Sequence, residues 1–282
     1  MNGDPRTWIA TLRRSHDNLA RIAGPMTPEQ VREQSFCRDW TNAQVLSHLG
    51  SGAEISLMGL PGALGEGPPV SRDAFPAVWD TWNAKSPEDQ AADALASDEE
   101  HVQRLEQLTD EELAAARMDF MGMQLDATGI IRLRLGEHVL HTWDLAVMQD
   151  PAASVQADAV ELLIDNVPQF LAPRLGKPLA EPLRVRITTT DPARDYLLTS
   201  AESVSVVNWP GAQAADSGDG AGEAAGDGVA EATGDGDVPR VEMPAEALLR
   251  LSYGRLDPAH TPATVSGDPE VLDKLRAIFP GF

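Results

Sequence analysis

The stretch LRLGEHVLHTWDLAVM, residues 133–148, decides how the chain is read. It is apolar nearly all round, yet it carries Glu137, His138, His141 and Asp144. Positions four apart lie on one face of a helix about a turn from each other, so Glu137 and His141 point the same way, with Asp144 three residues further on. An apolar helix buries itself, and charged groups taken inside are costly unless they are paired or bound to a metal. A carboxylate and an imidazole one turn apart offer two ligands to a divalent ion. The same spacing also describes a plain Glu–His pair on a packed helix. A metal centre needs a third ligand from elsewhere in the chain.

A second helical segment carries a solitary histidine at its middle. It begins near Trp40-Thr41, where Thr41 and Gln44 have the spacing of a capping box. Leu46, Leu49, Ala53 and Leu57 form its core stripe, and His48 sits among them. A lone helical histidine is commonly a hydrogen-bonded core residue. Gly50 and Gly52 beside it are the unusual companions, because a mid-helix Gly costs ~1 kcal/mol relative to Ala. They predict that something approaches this helix closely. If His48 is a ligand, Gly52 one turn on leaves the space above the ion open for a substrate. Cys37, just before the helix, reads as a small buried hydrophobe.

The remaining chain supplies the frame. Trp8, Ile9, Leu12, Leu19 and Ile22 recur at helical spacing before Gly24-Pro25, with His16 among charged residues and read as solvated. Thr27-Pro28 starts a short turn of helix. Residues 60–77 are rich in Gly and Pro and read as a long loop, followed by Trp79 and Trp82 as core plugs. Ser86-Pro87 caps a third long helix, in which Asp98-Glu99-Glu100-His101 reads as a solvated face. Thr109 caps a shorter helix, and a fourth long one begins near Thr128. Four helices with polar groups projecting inward from two of them describe a bundle with a metal site in its core. Residues 152–175 read as one more amphipathic helix.

Beyond residue 181 the pattern changes to alternation, with Leu183, Val185, Ile187 and Thr189 on one face of a strand. Further strands are predicted at 196–199, 204–209, 241–243 and 263–266, and helices at 244–251 and after Asp268-Pro269. Between them, 212–237 is mostly Gly, Ala and acidic residues with no base, too poor in apolar groups to order itself. The expected organisation is an α plus α+β chain: a metal-binding helical bundle over 1–150, a connector helix over 151–180, and a small α+β domain over 181–282 with a disordered acidic insertion at 212–237.

Composition narrows the function. A net charge of −22 over 282 residues argues against nucleic-acid or anionic-membrane binding, which need clustered Lys and Arg. No apolar run approaches the ~20 residues that span a bilayer, and the N-terminus lacks the apolar core of a signal peptide. One cysteine excludes an internal disulfide and a cysteine-rich metal site. The expectation is a cytoplasmic, soluble, globular protein.

The residues also carry a resemblance. Trp40-Thr41 and, after six intervening residues, His48-Leu49, then Glu137, His141 and Trp143-Asp144-Leu145, resemble the actinobacterial mycothiol-dependent maleylpyruvate isomerase family of the DinB-like superfamily. The helical half is similar to that family's DinB-like four-helix metal-binding domain. The second half is similar to its sterol-carrier-protein-like domain, notably at Gly254-Arg255 and in the closing run from Gly267-Asp268 to Phe279-Pro280-Gly281-Phe282. The resemblance implies His48, Glu137 and His141 as ligands of a divalent metal, usually zinc, and a role for Arg255 at the active site. It implies mycothiol as thiol cosubstrate and a small electrophile as substrate, with cis–trans isomerisation of the maleylpyruvate type or S-transfer as the reaction. A mycothiol S-transferase in detoxification or secondary metabolism and a non-catalytic metal-binding interaction protein are the alternatives. The chemistry is coherent: three protein ligands leave an open position, and a coordinated thiol loses its proton, although its free pKa is ~8.5. With a single cysteine in the chain, the sulfur comes from outside. An arginine suits a substrate carboxylate, which it grips with two parallel hydrogen bonds. Asp144 reads either as a partner that orients a ligand or as an ordinary helix-side hydrogen bond.

Overall fold

The computed structural model describes residues 3–210 and 238–281, and the acidic stretch 212–237 lies outside the described residues. The chain divides into two compact units, Met1–Ala159 and Val160–Phe282. The first is largely helical and the second is α+β.

The first unit runs α1 (Pro5–Ala23), α2 (Pro28–Arg32), α3 (Asn42–Ala63), α4 (Phe75–Asn83), α5 (Pro87–Glu106), α6 (Asp110–Ala115), a hairpin of β1 (Arg117–Phe120) and β2 (Met123–Asp126), and α7 (Ala127–Ala146). Helices α1, α3, α5 and α7 form the bundle. The most extensive seams join α3 to α5 and α7 to α1, whereas α3 meets α7 along a thin one. The starts are set locally. Thr27, Thr41 and Thr109 each form a capping box with the residue three positions on, and Ser86 caps α5 ahead of Pro87. Inside, Leu12, Leu19, Leu46, Leu49, Leu135 and Leu145 are fully buried, each worth ~1.5–3 kcal/mol relative to exposure.

Several expectations are corrected here. The loop predicted over 60–77 is shorter: α3 continues through Pro61 to Ala63, and a 3-10 turn at Arg72–Ala74 leads into α4. Gly62 permits this, because a Cβ there would lie 2.9 Å from Pro68 O and Pro69 Cα where the loop folds back. Trp82 is buried as predicted, but Trp79 is 45% exposed. The β1–β2 hairpin was not anticipated. Its two-residue turn, Met121-Gly122, has both φ angles positive, at 54° and 83°, the geometry that a two-residue hairpin requires.

The boundary between the units falls within α8 (Ala157–Leu163). A π-helical turn at Val167–Leu171 and α9 (Ala172–Leu175) follow, in place of one uninterrupted helix. Pro168 and Pro173 have no N–H to continue a regular ladder. The second unit's sheet has the order β5-β4-β3-β6, from β3 (Leu183–Thr190), β4 (Arg194–Ser200), β5 (Val204–Asn208) and β6 (Arg240–Pro244). The β3–β6 pair is parallel and the other two are antiparallel. Helices α10 (Ala245–Ser252) and α11 (Pro269–Ile278) complete the unit. The strand predicted at 263–266 reduces to a single bridge between Glu242 and Ser266. Gly254 and Gly281 touch backbone to backbone: a Cβ on Gly254 would lie 2.4 Å from Gly281 Cα. A packing contact thus joins two of the sequence motifs, Gly254-Arg255 and the closing run.

Candidate metal centre

His48 projects from α3, and Glu137 and His141 project from one face of α7. The fold brings the three together. His48 Nε2 lies 3.3 Å and His141 Nε2 3.7 Å from Glu137 Oε2, and a ligand atom from each falls within 4.8 Å of the other two. Donors bound ~2.0–2.2 Å from one tetrahedral ion sit about 3.4 Å apart. The two separations from Glu137 therefore suit donors shared by one divalent ion. The His48 and Glu137 side chains are 36% and 47% exposed, so the site opens to solvent on one side. His141 is buried.

The supporting groups fix the imidazoles. His141 Nδ1 lies 2.8 Å from Asp144 Oδ2, a hydrogen bond that orients the ring with Nε2 facing Glu137. Cys37 Sγ donates to the same oxygen at 3.0 Å, and Phe36 N donates to Asp144 O at 3.2 Å. Asp144 is fully buried. Cys37, His141 and Asp144 are a second trio of potential donors, but the Asp144 separations are hydrogen-bond lengths, shorter than two donors on one ion require. The thiol's proximity to a candidate ligand was not legible in the sequence, since the two are 104 positions apart. Trp40 lies against both imidazoles, with ring centroids 5.1 Å from His48 and 5.9 Å from His141.

Charge state suits ligation. Burial pushes the His48 imidazole below its ordinary pKa, and the hydrogen bond with Glu137 opposes this without cancelling it. Desolvation pushes the Glu137 carboxyl up, but its interactions with His141 and His48 outweigh it and hold the carboxyl below the usual range. Metal binding calls for these forms, a neutral imidazole and an ionised carboxylate.

A second polar cluster lies inside the bundle; the solvated readings of His16, Asp98 and His101 are corrected, since all three are buried, while Glu100 is exposed as expected. Asp98 on α5 is fully buried and accepts at Oδ2 from His138 Nε2 and His16 Nδ1, both at 2.8 Å. Its Oδ1 accepts from Arg134 Nη2 at 2.7 Å. His16 also reaches Glu99 through Nε2 at 2.8 Å. Burial pushes the Asp98 carboxyl up, but the attraction and hydrogen bonds of His138, His16 and Arg134 outweigh it and hold it well below the carboxylate range. Ser15 Oγ lies 2.7 Å from His138 Nδ1, so Ser15, His138 and Asp98 follow the order of a hydrolytic triad. Ser15 is only 1% exposed and the other two not at all, so no substrate reaches them.

His101, 4% exposed, has no hydrogen-bond partner for Nδ1 among the described residues. Burial pushes its pKa down to about 3. The unfolded chain takes up that proton near pH 6.5 and the folded chain refuses it. Stability is therefore lost as pH falls from about 6.5 towards 3. His101 alone contributes a loss of about 2 kcal/mol between pH 7 and pH 5. His16, whose pKa is raised, acts with the opposite sign. Urea denaturation at the two pH values checks this, and His101→Leu is expected to flatten the difference. An unchanged pH dependence in that variant places the acid sensitivity elsewhere.

Gly50 and Gly52 of α3 also find their cause. A Cβ on Gly50 would lie 2.3 Å from the Trp82 ring and 2.9 Å from Ala94 Cα, and one on Gly52 would lie 2.8 Å from Arg134 Nη1. The close approach that the sequence predicted is made by the chain itself. Room for a substrate is not what Gly52 provides. Arg255 belongs to the second unit, where it follows α10. It is 7% exposed and donates from Nη1 to Tyr253 O at 3.1 Å, so it is a buried loop residue.

Residues 12–146 match the family described as mycothiol maleylpyruvate isomerase N-terminal domain. The chain carries a domain of this family. The isomerase-family domain includes His48, Glu137 and His141 and ends before Arg255. Over both units, the fold is similar to the crystal structure of the mycothiol-dependent maleylpyruvate isomerase, with a TM-score of 0.59, 14% identity and 90% of each chain covered. A histidine-to-alanine mutant of that enzyme matches to the same extent. No curated protein matches the sequence. None of the described helices is long and apolar enough to cross a membrane.

Proposed function

We propose that the chain is a metal-dependent enzyme that activates a low-molecular-weight thiol, mycothiol, for attack on a small electrophile of the maleylpyruvate type. The observation that carries this reading is the fit of the His48, Glu137 and His141 donor atoms to one tetrahedral ion, inside a domain of the isomerase family. His48, Glu137 and His141 hold the ion, zinc by its preference for this nitrogen and oxygen set. The bound ion supplies an acidifying site at which a thiol is held as thiolate at neutral pH. Asp144 keeps the His141 proton on Nδ1, and Trp40 walls both imidazoles. Thiolate addition to an activated double bond, rotation and elimination interconvert cis and trans isomers, and addition alone leaves an S-conjugate. Incubating the zinc-loaded protein with mycothiol and maleylpyruvate, followed by mass spectrometry and NMR, tests the reading. Thiol-dependent formation of the trans isomer supports an isomerase, and a stable conjugate supports an S-transferase. No turnover with any thiol leaves a non-catalytic metal-binding protein.

Arg255 is proposed to grip the substrate carboxylate through its planar guanidinium. Arg255→Ala is expected to keep its metal and lose ~10²-fold or more in kcat/KM. Arg255→Lys recovers part of it, since the charge stays and the bidentate fork goes. Near-normal kcat/KM in the alanine variant returns Arg255 to a packing role in its own unit.

A further inference from the structure

We infer that Arg134 is a positioning residue that sets the spacing of the metal ligands, an inference that rests on the metal reading above. The ligands come from two helices, α3 and α7, whose mutual seam is the thin one in the bundle. Arg134 crosses that seam. From α7, one turn before His138, its Nη2 donates to Leu49 O at 2.9 Å, the carbonyl next to His48 on α3. The same Nη2 donates to Asp98 Oδ1 at 2.7 Å, on α5. Its Nη1 occupies the space left by the missing Cβ of Gly52, one turn beyond His48. The guanidinium is 8% exposed, so water competes little for these bonds. One buried cation therefore joins the backbone beside one ligand to the helix that bears the other two. Asp98 supplies the counter-charge that makes its burial tolerable. The glycine cost in α3 has the same origin, since a side chain at position 52 displaces the guanidinium. Arg134 touches none of the three ligands. It acts through the distance between their helices.

The test is Co²⁺ binding to the metal-free protein, read as affinity and as the ligand-field spectrum, neither of which needs turnover. Arg134→Lys keeps the charge opposite Asp98 but loses the fixed fork, and Gly52→Ala keeps the arginine itself while its Cβ pushes Nη1 aside. Both are expected to bind Co²⁺ about 10-fold more weakly, the scale on which groups behind metal ligands act, with an altered spectrum. Arg134→Gln combined with Asp98→Asn removes both buried charges together and is expected to weaken binding further. Ile22→Ala, a truncation in the bundle's apolar core that removes no polar group, is the control for general loosening and keeps wild-type affinity. His48→Ala reports on the metal reading itself and abolishes binding. Wild-type affinity and spectrum in the Arg134→Lys and Gly52→Ala proteins, with binding lost in His48→Ala, overturn the Arg134 inference alone. Equal weakening in Ile22→Ala overturns it too. Wild-type binding in His48→Ala overturns the metal reading and the inference with it.

Discussion

His48→Ala is expected to lower bound metal from one equivalent to near zero and to abolish thiol-dependent turnover, while the helical circular dichroism stays. In the proposed trio His48 is the sole donor from α3, and without it Glu137 and His141 offer only the two donors of one helix face. The loss exceeds the ~10–100-fold in affinity that follows removal of a group behind a ligand. Little stability goes with it, because the His48 side chain is 36% exposed and packs against Trp40 at the rim of the site. Cys37→Ser provides the contrast. It keeps a donor to Asp144 and is expected to retain full metal content. Metal analysis of the purified variants decides between the trios. Full occupancy in His48→Ala with loss in Cys37→Ser assigns the ion to Cys37, His141 and Asp144 instead.

Asp98→Ala has the largest expected effect on stability. Its removal leaves Arg134, His138 and His16 facing each other inside the bundle without their shared acceptor. Breaking a buried ion pair from one side costs about 3–5 kcal/mol, against a total of about 5–15 kcal/mol for a domain. Asp98→Asn keeps one acceptor oxygen and falls in between. The pH dependence follows from the depressed pKa of Asp98. The stabilisation it gives is present above the unfolded carboxylate pKa of ~3.9 and is lost as pH falls through and below that value. Chemical denaturation measures both effects, and an Asp98→Ala protein within about 0.5 kcal/mol of wild type contradicts the account of the cluster.

What was legible in the sequence is what depends on local spacing. Glu137 and His141 share a face by helix geometry alone, and the capping boxes at Thr27, Thr41 and Thr109 mark helix starts without any tertiary information. The trio became visible as a set only through the family resemblance, because the α3–α7 pairing that joins His48 to it is tertiary. The buried cluster was misread for the same reason. His16 and Asp98 stand among charged neighbours, Arg13 and Arg14 or Glu99 and Glu100, and periodicity gave no sign that the two pair with each other or that Arg134 and His138 on α7 join Asp98. Gly52 shows the middle case. The sequence announced a close approach, and the structure identified the approaching group as the guanidinium of Arg134. The β1–β2 hairpin escaped because strands of four residues carry too little alternation to stand out, and its Met-Gly turn is not among the usual turn pairs.

The central claim is that one ion sits between His48, Glu137 and His141, and X-ray absorption at the zinc edge of the loaded, thiol-free protein tests it most directly. The account predicts a first shell of nitrogen and oxygen alone at ~2.0–2.2 Å, with the outer-ring scattering of two imidazoles. A sulfur neighbour at ~2.3 Å would place Cys37 on the metal and contradict it.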